Sequence, residues 1–299
     1  MDELCICSTR SGVLEGLKLG RIIRKGSYLR RSDRRRVRRF YCRSCQRGFS
    51  WARFSACYGQ NKRQVNEAVF ELLCSSVSMR RTARLLGINP KTVARKLHFL
   101  AAVEGEKNRR TVEEYAARNP VTDVFFDDVE TSHHTKCKPL SIPLAVNEKR
   151  LILGFCVCLM PASGKLAALS RKKYGPRPDH RPQAIQELLE SIRPLVHPCN
   201  SKIEFTSDQC PRYPGPVRRI YPGATHRRVK GRRGCVAGQG ELKKIGFDPL
   251  FALNHSAAML RANVNRLIRR TWCTTKRIDS LVAHLTLYVA YHNRQLQLS

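Results

Sequence analysis

The sequence predicts an α/β protein in which small, strongly basic N-terminal modules precede a larger mixed-sheet domain. Three observations carry this expectation: a basic, cysteine-framed leader, a run of short capped helices behind it, and a change to strand-like apolar runs beyond residue 120. The chain has 299 residues, with 56 Lys+Arg against 23 Asp+Glu and a formal net charge of +33. That length accommodates two or three domains at roughly 100–200 residues each. A hydrophobic content of 42% is enough to bury a core and excludes a disordered basic tail. So large a positive excess repels itself unless a polyanion neutralises it, with nucleic acid the first candidate and an anionic membrane surface the second.

Other classes fall away on local grounds. The longest apolar run, Leu151–Met160, is about half the ~20 residues that a membrane-spanning helix requires. Met1–Gly20 has neither a basic start nor a continuous apolar stretch, so no secretory signal is expected. Thirteen cysteines, an odd number, fit zinc ligands or small buried apolar residues better than a disulfide framework. The expectation is a cytoplasmic, nucleic-acid-facing protein.

The leader, residues 1–55, holds 12 Lys/Arg between Arg21 and Arg47 against one acid, Asp33. Cys5-x-Cys7 precedes the run and Cys42-Arg-Ser-Cys45 follows it. Two thiolates on a tight turn can share one tetrahedral zinc, and a second pair completes a zinc ribbon. Cys5, Cys7, Cys42 and Cys45 are therefore the candidate zinc ligands. The one-residue gap of the first pair is awkward for a chelating turn, which leaves a metal-free ribbon as the alternative.

Residues 56–104 read as a helix-turn-helix. Val65, Ala68, Val69, Leu72 and Leu73 recur at helical spacing over Lys62–Cys74. Ser78 caps a second helix over Met79–Leu86, Gly87 ends it, and Asn89 caps a third that opens with Pro90. Val93 and Leu97 face inward, while Lys91, Thr92, Arg95 and Lys96 face out. A capped, basic second helix is the element that enters a major groove. Lys91, Thr92 and Arg95 are the expected base contacts, with Arg80 and Arg81 on phosphates; the alternative is a three-helix bundle with a wet basic face. Residues 105–119 are polar, are broken off by Pro120, and read as a linker.

From 120 to 299 the expected order is strand (Val121–Phe126), strand (Leu140–Val146), strand (Leu151–Met160), helix (Arg181–Val196) and strand (Lys202–Thr206). Two long helices follow, near Leu250–Arg270 and Arg277–His292. This is the order of a ribonuclease-H-like domain. Asp127 and Asp208 each end an apolar strand, and in that fold the two strands are neighbours. Two carboxylates held together repel unless a divalent cation lies between them. Mg²⁺ or Mn²⁺ so placed assists phosphoryl transfer.

The residues together resemble a known family. Arg39-Phe-Tyr-Cys42-Arg-Ser-Cys45-Gln-Arg-Gly-Phe-Ser50 and Thr82-Ala-Arg-Leu-Leu-Gly87-Ile-Asn-Pro-Lys-Thr92 stand in the first half. Phe126-Asp127-Asp128-Val-Glu-Thr131, Thr206-Ser-Asp208 and Asn254-His255 through Arg270-Thr-Trp272 stand in the second. In this order they resemble bacterial insertion-sequence transposases of the DDE type, in which a zinc ribbon and helix-turn-helix precede a ribonuclease-H-like core. The resemblance implies recognition of terminal inverted repeats and a core using Mg²⁺ or Mn²⁺ at Asp127 and Asp208. Attack would be by water and then by the freed 3′-hydroxyl, with no covalent enzyme intermediate. The implied partners are double-stranded DNA of the ends and target, with a homodimer or higher oligomer on DNA and no membrane.

The family's third acid, a glutamate a few residues after the histidine on the penultimate helix, is not matched. Leu260 stands there, and no Asp or Glu occurs from Pro249 to Ile278. Glu241 is the favoured substitute and Asp248 another. Asn254, Asn263 or Asn265 as neutral ligands, and a catalytically dead descendant acting as a DNA-binding protein or repressor, are the alternatives. Arg261, Arg266, Arg269 and Arg270 form a candidate basic face for DNA, Gly231–Gly240 a basic loop, and Trp272 a core residue. Cys156 and Cys158 are expected to be buried apolar residues, and His133-His134 a solvated loop.

Overall fold

The computed structural model describes residues 5–196, 203–230, 248–268 and 273–298. They divide into two compact units, Met1–Ala68 and Val69–Ser299.

The first unit has one helix, α1 (Arg10–Lys18), and an antiparallel sheet, β1 (Ile22–Arg30), β2 (Arg35–Cys42) and β3 (Gly48–Ser50), in the order β1-β2-β3. Thr9 caps α1, its Oγ1 accepting the Gly12 N–H at 3.0 Å. The core is small: Cys7, Val13, Ile22, Phe40 and Cys42, with Phe49, Trp51 and Phe54 packed against it. Ile22 is the one buried residue of β1, so most of the outward surface of the ribbon carries arginines.

In chain order the remaining elements are α2 (Asn66–Cys74), α3 (Met79–Leu85), α4 (Pro90–Arg118), β4 (Asp123–Ser132), β5 (Pro139–Asn147), β6 (Ile152–Phe155) and β7 (Cys158–Leu159). Then come α5 (Ala167–Tyr174), α6 (Arg181–Ser191), β8 (Glu204–Asp208), α7 (Pro214–Ile220), β9 (Thr225–Val229), α8 (Phe251–Asn263) and α9 (Ile278–Leu298). The cap and stop signals expected for α3 and α4 act as read. Ser78 Oγ accepts the Arg81 N–H, Asn89 Oδ1 accepts the Lys91 N–H at 2.8 Å, and Gly87 takes φ +59° between them.

The expected linker at 105–119 is instead the second half of α4, which runs unbroken for 29 residues. Glu106 pairs with Arg110 and Arg109 with Glu113, each one turn apart, so this polar stretch is a self-supported helix face. Its inner face packs along α9. Gly105 permits the approach, since a Cβ there would lie 2.6 Å from Thr286 Cγ2. The boundary between compact units accordingly falls at 68/69, well before the expected linker.

The large sheet has six strands in the order β6-β5-β4-β8-β9, with β7 pairing onto β5. β4, β5 and β6 are antiparallel neighbours, whereas β8 runs parallel to β4 and β9 parallel to β8. The run read as one strand over Leu151–Met160 is two, because β6 pairs with Leu144–Val146 and β7 with Leu140–Ser141, with Cys156 and Val157 crossing between. One face of the sheet presents Val124, Phe126 and Phe205 to Ile185, Leu188 and Leu189 of α6. Cys158 is buried and Cys156 packs against this cluster, as expected of apolar cysteines. No helix among the described residues is long and apolar enough to cross a membrane.

Asn293, buried on α9, completes the β6 edge. Its Oδ1 accepts the Ile152 N–H and its Nδ2 donates to the Ile152 carbonyl, both at 2.9 Å; Nδ2 also reaches Asn108 Oδ1 on α4. A buried edge strand must have its backbone groups satisfied. Asn293→Leu strands both groups and is expected to lower unfolding stability by about 3 kcal/mol, measured as a shifted urea midpoint at unchanged slope.

Candidate metal centre and nucleic-acid interface

The four leader cysteines converge. Cys5 Sγ lies 3.6 Å from Cys42 Sγ and Cys7 Sγ 3.5 Å from Cys45 Sγ, with all four sulfurs within 4.8 Å of one another. Zinc–sulfur bonds of about 2.3 Å in a tetrahedron put sulfurs about 3.8 Å apart, so the cluster matches an S₄ site and could bind a metal ion such as zinc. The awkward spacing of Cys5 and Cys7 is resolved locally. Cys5 is extended (φ −52°, ψ 144°) and immediately precedes a 3₁₀ turn over Ile6–Ser8, so the chain bends between the two ligands. At Cys42 the upward push of burial is outweighed by backbone N–H groups of Cys45 and Ser44 and by the other thiols, and the thiol is lowered to about 7. Purified protein is expected to carry about one zinc per chain. Cys45→Ser should lose it and make the leader sensitive to limited proteolysis, as read by metal analysis and mass spectrometry of the fragments.

In the second unit the sheet register brings the aspartates together. β4 and β8 pair in parallel with Phe125 opposite Thr206. Two residues further along both strands stand Asp127 and Asp208, and the period of two puts both on the same face. Each carboxylate has one oxygen held. Asp127 Oδ1 accepts the Asp128 N–H at 2.7 Å and the Tyr213 hydroxyl at 2.9 Å, while Asp208 Oδ1 accepts the Cys210 N–H at 2.8 Å. Burial first, with the charge of Asp208 reinforcing it, raises Asp127 to about 6 despite those hydrogen bonds.

Tyr213 and Arg212, from the turn after β8, were missed by sequence reasoning. Tyr213 is fully buried against Phe126, its ring centroid 4.9 Å away, so its hydroxyl has a fixed aim at Asp127. Arg212 stands 3.6 Å from Asp128, which points to the opposite face from Asp127 and is itself raised by burial. An aromatic with a polar tip five residues after a strand-end acid was the available signal.

The candidates for a third acid fare differently. Glu241 and the Gly231–Gly240 loop lie outside the described residues. Asp248 is engaged at the start of α8, accepting the Leu250 N–H at 3.0 Å and the Asn254 Nδ2 at 2.9 Å. Asn263 donates to the Met259 carbonyl and Tyr288, and Asn265 to the Ser76 carbonyl, so these amides serve packing. Leu260 is buried. Among the described residues, the cysteines form the single cluster of three or more convergent metal-ligating side chains.

Of the expected DNA contacts, Arg80, Arg81, Lys91 and Arg95 are exposed and Thr92 is half-buried. Lys96 is not outward. It is buried at 3% exposure, because α4 continues to Arg118 and positions 93, 96, 97 and 100 all join its inner stripe. Arg266, expected on a basic outer face, is likewise mostly buried, donating to Thr275 Oγ1 and Met79 Sδ. Arg269, Arg270 and Trp272 lie outside the described residues. His133 is tied rather than free, its ring meeting the Lys276 carbonyl at 3.2 Å.

No protein-family model matches the chain, and no curated protein matches it.

The raised Asp127 has a testable sign. An acid whose folded pKa lies above its unfolded value contributes no penalty below the unfolded value near 3.8, and an increasing one as pH rises through about 6. Without added divalent cation, Asp127→Asn should therefore stabilise the protein by ~3 kcal/mol at pH 7.5, with the gain vanishing at pH 4, as measured by urea denaturation across that range.

Proposed function

We propose that the chain is a DNA-binding protein of the insertion-sequence transposase type, whose larger unit is a ribonuclease-H-like core acting on phosphodiesters. The observation that carries this reading is the pair Asp127 and Asp208 on adjacent parallel strands, each with one oxygen held by a backbone N–H and the other without a hydrogen bond among the described residues. The strand order supports it as well: three antiparallel strands, then two parallel ones added on the other side of the first. The exposed arginines of β1 and β2 and the basic start of α4 supply the cations that a duplex requires.

Asp127 and Asp208 would hold a divalent cation, which supplies Lewis acidity at a phosphodiester. The donor set fits, since two hard carboxylates on one face repel each other and are relieved by a cation. Tyr213, kept protonated by burial and the neighbouring acids, fixes one oxygen of Asp127 and turns the other outward. The cysteine cluster orders the leader, and α3–α4 would present Arg80, Arg81, Lys91 and Arg95 to DNA.

One observation favours a second reading, a non-catalytic DNA binder: Leu260 is buried, and the nearby polar side chains are committed to structural hydrogen bonds. A nicking assay with Mn²⁺ on DNA carrying the element's ends separates the two. The first reading expects strand nicking by the wild-type chain, a loss of at least a hundredfold in Asp208→Ala, and DNA retention unchanged within about twofold. Nicking that survives in Asp208→Ala would remove the metal-site assignment, and retention without any nicking by the wild type would leave the binder.

A further inference from the structure

The first unit contains a groove whose apolar wall the proposed duplex contacts do not use. It has a volume of about 430 Å³ and an apolar wall of Leu14, Leu17, Phe40 and Trp51. Leu14 is 52% exposed and extends the apolar surface of the aromatic cluster into the groove. Phe40 and Phe54 hold Trp51 with ring centroids 5.8 and 5.6 Å away, so the wall is rigid. Arg24, Arg36 and Arg38 form the rim; all three are exposed, and none has an ion pair among the described residues. At the far end Arg30 is already neutralised by Asp33.

An apolar wall rimmed by uncompensated guanidiniums selects a ligand that is flat and apolar in one part and anionic in another. A nucleotide is such a ligand, provided its base is exposed. In a duplex the faces of the bases are stacked, so a duplex offers the rim its phosphates but leaves Leu14 in water. An unpaired base has a free face for the wall, and its flanking phosphates reach the arginines. The volume lies within the range of small-molecule sites and is large enough for one base with its sugar.

We propose that this groove receives an unpaired nucleotide of a DNA strand, its base against Leu14 and Leu17 and its phosphates on Arg24, Arg36 and Arg38. This rests on the reading of DNA as the partner and names a single-stranded segment as part of the substrate. It does not depend on the aspartate chemistry of the other unit.

Three fluorescent DNAs test it with the full chain: a blunt duplex, the same duplex with a six-thymidine 3′ tail, and the duplex with an abasic tail of equal length and charge. By anisotropy, the thymidine tail should bind about tenfold more tightly than the abasic one. Leu14→Gln should abolish that advantage while leaving the blunt duplex within twofold. If the variant also weakened blunt binding, Leu14→Met, which restores apolar area, should recover the advantage. Arg36→Gln with Arg38→Gln should weaken both tails. Equal binding of thymidine and abasic tails, or an advantage that persists in Leu14→Gln, would overturn the assignment. Failure of the wild type to bind even the blunt duplex would instead remove DNA as the partner.

Discussion

The parallel pairing of β4 with β8 is the constraint on which the candidate centre depends. Its register sets Phe125 opposite Thr206, and from that alone Asp127 and Asp208 share a face. A slip of one residue would turn one carboxylate into the cluster around Phe126 and Phe205 and leave the other by itself. The register is guarded because those two phenylalanines are completely buried and meet edge to face at 6.2 Å. Apolar packing on one face of the sheet thus fixes the charge pair on the other, and the packing must outweigh the burial and repulsion that raise Asp127.

Local chemistry made part of this readable. Ser78, Gly87 and Asn89 act within a few residues of themselves, so their roles as cap, stop and cap follow from their own side chains and backbone freedom. The cysteine pairs and Asp208 at the end of β8 were readable for a related reason, since residue type restricts what a cluster of thiols or carboxylates can do. Asp127, expected to end its strand, lies in mid-strand because β4 continues along β5 to Ser132. Two of the errors originate in partners far along the chain, and a third in composition judged without local pairing. Lys96 looked outward because the pattern was judged over one short helix, whereas α9, nearly 200 residues later, decides which stripe of α4 is buried. The acidic segment Glu104–Glu114 looked like a linker because its mean composition is polar, but pairing of Glu106 with Arg110 and Arg109 with Glu113 is itself a helical signal. Tyr213 escaped notice because its place five residues after Asp208 does not reveal that it donates to an acid 86 positions earlier.

Charge is distributed unevenly between functions. Arginines that pair with acids in the structure, such as Arg109, Arg110 and Arg181, stiffen helices or turns. Those of β1 and β2 have almost no acids to meet, since Asp33 neutralises a single neighbour. A ribbon of this kind tolerates its own repulsion because every guanidinium but one is in water, where screening acts over about 10 Å. The same exposure makes it a poor contributor to folding stability, which is why so small a core needs the cysteine cluster as its second anchor.

The absence of an acid at Leu260 bears on how a cation would be held rather than only on whether catalysis occurs. Two carboxylates, each with one oxygen already hydrogen-bonded, offer two hard ligands, and a six-coordinate cation would fill its remaining positions with water or phosphate oxygen. Under the proposed function such a site would bind its metal more weakly alone than with substrate, so metal and DNA affinities would be linked through the same oxygens. Burial of Asp127 amplifies the linkage, because below about pH 6 a proton competes with the cation for that carboxylate. A third acid would weaken this dependence by supplying charge permanently. Under the proposed function, with the buried Leu260 supplying no charge, the phosphodiester itself would add negative charge to the pair, and such a centre would be completed by DNA.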